Sequence, residues 1–287
     1  MIFSDKYIDY SSKTKKELRQ ALILFSLLSN KIIVKIGNYL LKITLKLHLP
    51  VLFIIKNTIF KHFCGGENIS DSRARIHNLG THNIQTILDY SVEGKNDVQS
   101  LENTYEEILK NLDEAKTNSL IPFSVFKFTG LARFDLLKKI NAKKQLNKAE
   151  KNELKILKKR LNDICQKAEN IKIPILIDAE ESWIQDAIDE LTEELMIKYN
   201  KSEIIVFNTI QLYRWDKLKY IKDLHNQAKR KKFKLGLKLV RGAYMEKERL
   251  WSKKNNIKCV IHRTKENCDQ DYNSAVKYCI NNIEDIG

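Results

Sequence analysis

Leu235-Gly-Leu-Lys-Leu-Val-Arg-Gly-Ala-Tyr244 is the stretch whose reading decides the fold. It begins as a short, apolar, β-prone run behind a helical pattern, as a buried strand does. Two cations then enter it, Lys238 and Arg241, and it ends on Gly242, Ala243 and Tyr244. Side chains on a strand alternate between faces. Lys238, Val240, Gly242 and Tyr244 therefore share one face, and Leu239, Arg241 and Ala243 share the other. Cations and small residues at the carboxyl end of a strand suit an anionic or electron-rich ligand, because the backbone can come close to it. A surface strand with snorkelling cations has the same spacing, so the rest of the chain must decide.

Upstream lie four more apolar runs. Ile84–Val92 is closed by Gly94, and Phe123–Thr129 sits between Pro122 and Gly130. Ile173–Asp178 and Ile204–Gln211 complete the set. Helical stripes separate them: Leu101, Tyr105, Ile108 and Leu112; then Leu154, Leu157, Leu161 and Ile164 in a long charged segment. Ile184, Ile188, Leu191 and Leu195 follow, then Leu218, Ile221, Leu224 and Ala228, and a last helix carries Tyr272, Val276, Cys279 and Ile280. Strand and helix alternate five times, which predicts an α/β fold with a parallel sheet and crossover helices. Nearly continuous apolar strands agree, since such sheets are covered on both faces. Each strand also acquires a polar residue at its carboxyl end: Asp89, Lys127 with Thr129, Asp178, Gln211, and Lys238 with Arg241. That end is the active face of a barrel and the ligand crevice of an open sheet. Five such ends in succession argue against fraying alone.

The first 80 residues read differently. Residues 15–63 are helical, with Ile33, Ile36, Leu40, Ile43 and Leu47 on one face and Lys31, Lys35, Lys42 and Lys46 on another. Pro50 ends or kinks this pattern and Gly65-Gly66 breaks it. A basic amphipathic helix lies on a membrane surface or packs against the main domain. No apolar run is long enough to span a bilayer. The expected division is residues 1–80, an N-terminal helical region, and residues 81–287, the βα units, with residues 138–171 as an enlarged charged crossover.

Composition narrows the partners. A net charge of +15 permits nucleic acid, anionic lipid or an anionic ligand. Most of the lysines are interleaved with Glu and Asp on helices, and no aromatic-basic module accompanies them, so nucleic acid is not expected. The five cysteines have no zinc or redox spacing and read as free thiols in a reducing compartment, with no metal site. The first residues lack the order of a signal peptide. The expected location is cytoplasmic or peripheral to the inner membrane, mitochondrial in a eukaryote.

Several stretches, in order, resemble the proline dehydrogenase family, flavoenzymes with a distorted (βα)8 barrel. They are Ile87-Leu-Asp-Tyr-Ser-Val-Glu-Gly94, Phe126-Lys-Phe-Thr-Gly130, Ile177-Asp-Ala-Glu-Glu181, Gln211-Leu-Tyr213 and Lys238-Leu-Val-Arg-Gly-Ala-Tyr244. Thr264-Lys-Glu266 and Asp269-Gln-Asp-Tyr-Asn273 follow the same pattern. The resemblance implies oxidation of L-proline to Δ1-pyrroline-5-carboxylate, the first step of proline catabolism, with FAD as cofactor and a quinone as electron acceptor. It implies that Lys127 pairs with the proline carboxylate and that Tyr244 shapes the proline pocket. Asp178 would be the catalytic aspartate, with Ala179 against the flavin and Gln211 hydrogen-bonded to the isoalloxazine. Lys238 stands where many members carry an arginine beside flavin N5; it keeps the charge without the planar fork. Arg241, Gly242 and Ala243 match residues that contact FAD.

The resemblance stops after the fifth βα unit. The family's strand-six Ala-Thr-His-Asn, its strand seven and its two consecutive substrate-clamping arginines do not appear. Five of the eight units are thus expected, with open edges on strands one and five and no competent enzyme from this chain alone. The competing expectation is a non-catalytic truncated barrel that binds a membrane or a partner.

Overall fold

The structure is a computed structural model that describes residues 10, 13–47, 53, 55–90 and 97–287. The chain divides into two compact units, Met1–Gln85 and Thr86–Gly287.

In the first unit, α1 (Lys15–Ser29) is started by a capping box in which Thr14 and Glu17 satisfy each other's backbone N–H. α2 (Lys31–Lys46) follows after Asn30, whose side chain accepts from the N–H groups of Ile32 and Ile33. A π-helical turn, Lys56–Phe60, runs into Lys61–Phe63, and α3 (Ile69–Gly80) is capped by Asn68. α3 lies within the expected helical region but shows no apolar stripe of its own, because it buries only Ser72 and Ile76. Pro50, and Ser91 to Gly94 of the first expected strand, lie outside the described residues.

The second unit is built on a parallel sheet. β1 (Ile87–Leu88), β2 (Phe123–Lys127), β3 (Ile175–Asp178), β4 (Val206–Gln211) and β5 (Gly236–Val240) lie side by side in chain order. All four pairings are parallel. Helices connect them: α4 (Val98–Thr117), α5 (Phe134–Asn141), α6 (Lys148–Ile171), α7 (Ser182–Tyr199) and α8 (Lys217–Lys231), with α9 (Met245–Asn255) and α10 (Lys265–Ile280) after β5. The alternation expected from the sequence is therefore present as five βα units.

Several boundaries differ. β1 is two residues long, because it pairs only through Ile87 with Phe123 and Leu88 with Ser124. Thr129 is not on β2; Phe128–Gly130 forms a 3-10 turn, drawn over by hydrogen bonds from Thr129 to Glu180. The charged crossover is two helices, α5 and α6, separated by a turn at Lys143, where φ is 54°. The edge of β5 is not wholly open either. Leu235 N–H donates to Asp285 O, Gly287 N–H to Leu235 O and Leu237 N–H to Gly287 O, so the start of β5 has a parallel neighbour.

The core explains why these residues fold this way. Ile175 and Ile177 of β3 are fully buried, as are Leu161 and Ile164 of α6 and Ile184 and Ile188 of α7. Burying each such side chain contributes roughly 1.5–3 kcal/mol. Many polar groups inside are paired, as burial favours, although Ser124 Oγ, Thr192 Oγ1 and Asn208 Oδ1 are not. Asn200 accepts from the N–H groups of Ile205 and Val206 and donates to the carbonyls of Val206 and Lys234, joining the starts of β4 and β5. Asp189 accepts from Lys217 Nζ at 2.5 Å, Gln185 Nε2 at 2.8 Å and Asn208 Nδ2 at 2.9 Å, all four residues being buried. That network fastens α7 and α8 to β4, so the carboxyl ends of the strands rest on a fixed base.

Candidate active site

The carboxyl ends of β2, β3 and β5 place three charged side chains together. Lys127 and Asp178 are direct partners in the β2–β3 register. Lys127 Nζ stands 3.7 Å from Asp178 Oδ2 and 3.7 Å from Asp89 Oδ2. Lys238 Nζ donates to Asp178 Oδ1 at 2.6 Å. β4 lies between β3 and β5, and two strand spacings are roughly 10 Å. The lysine stem and the aspartate together bridge that distance, so the two side chains meet over β4. One carboxylate thus fixes two ammonium groups, each on a different strand. All three side chains are only partly covered, with 18%, 20% and 34% of Lys127, Asp178 and Lys238 exposed.

Beside this cluster, the residues after β3 and after β5 are held against each other. Gln211, buried at the end of β4, donates through Nε2 to Glu180 O at 2.8 Å and accepts from Ala243 N–H at 3.1 Å. Ala179, the residue before Glu180, is also buried. Gly242 has φ +137°, and a Cβ there would lie 2.4 Å from the Tyr213 ring. No other residue fits that backbone without lifting the segment off Tyr213. Tyr213 N–H in turn donates to Arg241 O at 2.6 Å.

The structure does not bring Arg241 to the lysine–aspartate cluster. Its guanidinium points to α10, where Nε donates to Asp269 Oδ1 at 2.5 Å and the group lies 4.3 Å from the centre of the Tyr272 ring. This matches the strand alternation, which places Arg241 and Lys238 on opposite faces. Tyr244 stands at the N-cap position of α9, without a side-chain capping hydrogen bond, and Lys247 Nζ lies 5.2 Å from the centre of its ring.

Sequence reasoning missed Glu180. This carboxyl is buried and faces the turn after β2, with Oε1 3.0 Å from Thr129 N and Oε2 2.5 Å from Thr129 Oγ1. Burial pushes it up to about 7, against the lowering effect of the Thr129 hydrogen bonds. Its neighbour Glu181 pushes the same way, and Lys127 opposes both. The first glutamate of Asp178-Ala-Glu-Glu181 reads as an exposed residue ahead of a helix, so nothing in the pattern marked it as buried. Burial of this carboxyl makes stability depend on pH. The raised carboxyl stabilises the fold fully below its unfolded value of 4.5, and that contribution is lost as pH rises through about 7. Urea midpoints of the wild type and of Glu180→Gln, which does not titrate, measure it. Between about pH 5 and pH 8 the wild type should lose of order 3 kcal/mol relative to the variant; parallel curves would show that Glu180 does not titrate in this range.

The donor set fits a flavin: two largely covered ammonium groups suit electron-rich or anionic groups, and the residues that follow β3 and β5 include the small Ala179 and Ala243. Comparison with known proteins bears on the same residues. A family model described as proline dehydrogenase matches residues 72–287. Proline dehydrogenase 1, mitochondrial, of Dictyostelium discoideum is 29% identical over 96% of this chain and 55% of its own length. The carbapenem antibiotics biosynthesis protein CarD of Pectobacterium carotovorum is 26% identical over 96% of this chain and 71% of its own length. The chain thus spans about half of the first relative. Among solved structures, proline utilization A from Bdellovibrio bacteriovorus, inactivated by N-propargylglycine, matches with a TM-score of 0.70 at 18% identity. That match covers 81% of this chain and 25% of the other, and it shows a shared α/β fold of the (βα)8-barrel type. With the family model matched across every strand and every site residue described above, the chain belongs to the proline dehydrogenase family.

Proposed function

We propose that this site serves the flavin-dependent oxidation of L-proline to Δ1-pyrroline-5-carboxylate. The observation that carries the proposal is the placement of Lys127, Asp178 and Lys238 at adjoining strand ends, in a chain of this family. FAD, when bound, supplies the acceptor for the hydride on the carbon beside the proline ring nitrogen. Lys127 binds the substrate carboxylate, and Tyr244 walls the proline pocket. Asp178 holds both lysines in place. Lys238 puts a positive charge where electron density accumulates, and fixed charge of this kind needs no reorganisation during reaction. Gln211, Ala179, Gly242 and Ala243 line the flavin, and Arg241 braces their segment against α10.

Titrating the chain, restored to the family's eight βα units, with FAD and then adding L-proline without oxygen tests this. FAD should bind, and proline should bleach it. Lys127→Ala should raise the proline concentration for half-bleaching about tenfold, the scale of one charge-assisted hydrogen bond, while Lys238→Ala should slow bleaching at saturation. A chain that leaves the FAD spectrum unchanged, or a Lys238→Ala variant that bleaches at the wild-type rate, would overturn the reading.

A second observation supports membrane contact and a quinone as electron acceptor. α1 and α2 meet at 93°. Leu22, Ile23 and Phe25 on α1, and Ile32, Ile36 and Leu40 on α2, are exposed. Lys31, Lys35, Lys42 and Lys46 accompany them, with Glu17 the sole acidic residue from Lys15 to Lys46. Among the described residues no single helix is long and apolar enough to cross a bilayer. Apolar side chains among cations suit the surface of an anionic bilayer, where a quinone is also held. Changing these four lysines to Gln should release the chain from anionic liposomes in sedimentation; undiminished binding would refute this contact.

A further inference from the structure

We infer that Glu248 is a positioning residue for the flavin site: it ties the segment leaving β3 to the segment leaving β5. Its role at the flavin rests on the function proposed above; the tie itself rests on geometry alone. α7 starts at Ser182, yet the side chain of its N-cap residue, Glu181, makes no capping hydrogen bond. The capping group comes instead from α9. Ser182 N–H donates to Glu248 Oε1 at 2.6 Å and Ser182 Oγ to Oε2 at 2.6 Å. Glu248 is 1% exposed.

The contacts on either side run in step with this one. Glu181 Oε1 accepts from Lys247 Nζ at 2.7 Å, and the Trp183 and Trp251 rings stack with centroids 4.4 Å apart. Three consecutive residues, 181 to 183, thus each engage α9. Ala179 stands two residues before the first of them and Tyr244 just before α9, so the tie joins the two segments assigned above to the flavin. Gln211 bridges the same two segments through Glu180 O and Ala243 N–H. Glu248 also adds to the effect of burial in pushing up the Tyr213 phenol, and Tyr213 is the ring on which Gly242 rests.

Energetics favour a positioning role over simple capping. A Ser, Thr, Asp or Asn at the N-cap satisfies a helix start locally and keeps its contact with water. Burying a carboxylate there costs desolvation that neutral donors only partly offset. What the remote carboxylate adds is a fixed distance between two loops.

Amide hydrogen exchange on the chain, read residue by residue, tests the tie. Glu248→Ala should speed exchange about tenfold or more, the scale of one lost buried hydrogen bond, both at Ser182 to Gln185 and at Ala243. Glu248→Gln can still accept from the N–H and donate to Oγ, and should stay within about threefold of wild type. The Kd for FAD should rise about tenfold in the first variant and little in the second. Acceleration confined to Ser182 to Gln185 would reduce Glu248 to a cap and overturn the proposal, as would a Gln variant as loose as the Ala variant. Where Glu248→Ala fails to fold, Ser182→Pro removes the donor N–H at a helix position that accepts proline; it must loosen Ala243 too, and an unchanged Ala243 overturns the tie. Loosening of both segments in a chain that takes up no FAD would overturn the flavin reading and leave the tie standing.

Discussion

The site depends on one carboxylate held between two ammonium groups. Asp178 reaches Lys238 at 2.6 Å and Lys127 at 3.7 Å from strands on either side of it. Exposed ion pairs contribute little to stability, commonly below about 1 kcal/mol. This one lies in a partly covered mouth, where its value is geometric. It fixes where two positive charges stand relative to each other before any ligand arrives. A site preorganised in this way does not expend binding energy on arranging itself.

That arrangement stands on a base that is not part of it. Asn200 joins the starts of β4 and β5, and Asp189 with Lys217, Gln185 and Asn208 joins α7 and α8 to β4. Gln185 also accepts from Glu180 N–H at 2.6 Å, so the buried network touches the back of the loop that carries Ala179 and Glu180. Buried polar networks are costly when partly satisfied and specific when complete. Here Asn208 Oδ1 stays without a partner, yet the network links the packed helices to the loop after β3, so position is passed on through hydrogen bonds as well as through apolar packing.

Much of this was legible in the sequence, and the rest was hidden for physical reasons. Apolar runs with polar carboxyl ends gave the strand order and placed Lys127, Asp178, Gln211 and Lys238 at one end of the sheet. α9 left no such trace, because its buried residues are Glu248 and Ser252, and a helix that buries polar groups shows no apolar stripe. Glu180 was hidden because only the neighbouring turn at Thr129 makes it a buried carboxyl. The pairing of Arg241 with Asp269 was half visible: alternation predicted the opposite face from Lys238, but not the helix that waits there. Periodicity reports burial by apolar residues; contacts made by buried polar residues between distant segments leave no period.

In the proposed function Lys238, held by Asp178, faces the flavin. Residue-resolved acetylation of lysines, followed by mass spectrometry with and without FAD, tests it most directly. FAD should slow modification of Lys238 several-fold while the exposed Lys201 is modified at an unchanged rate. Equal modification of Lys238 in the presence and absence of bound FAD would contradict it.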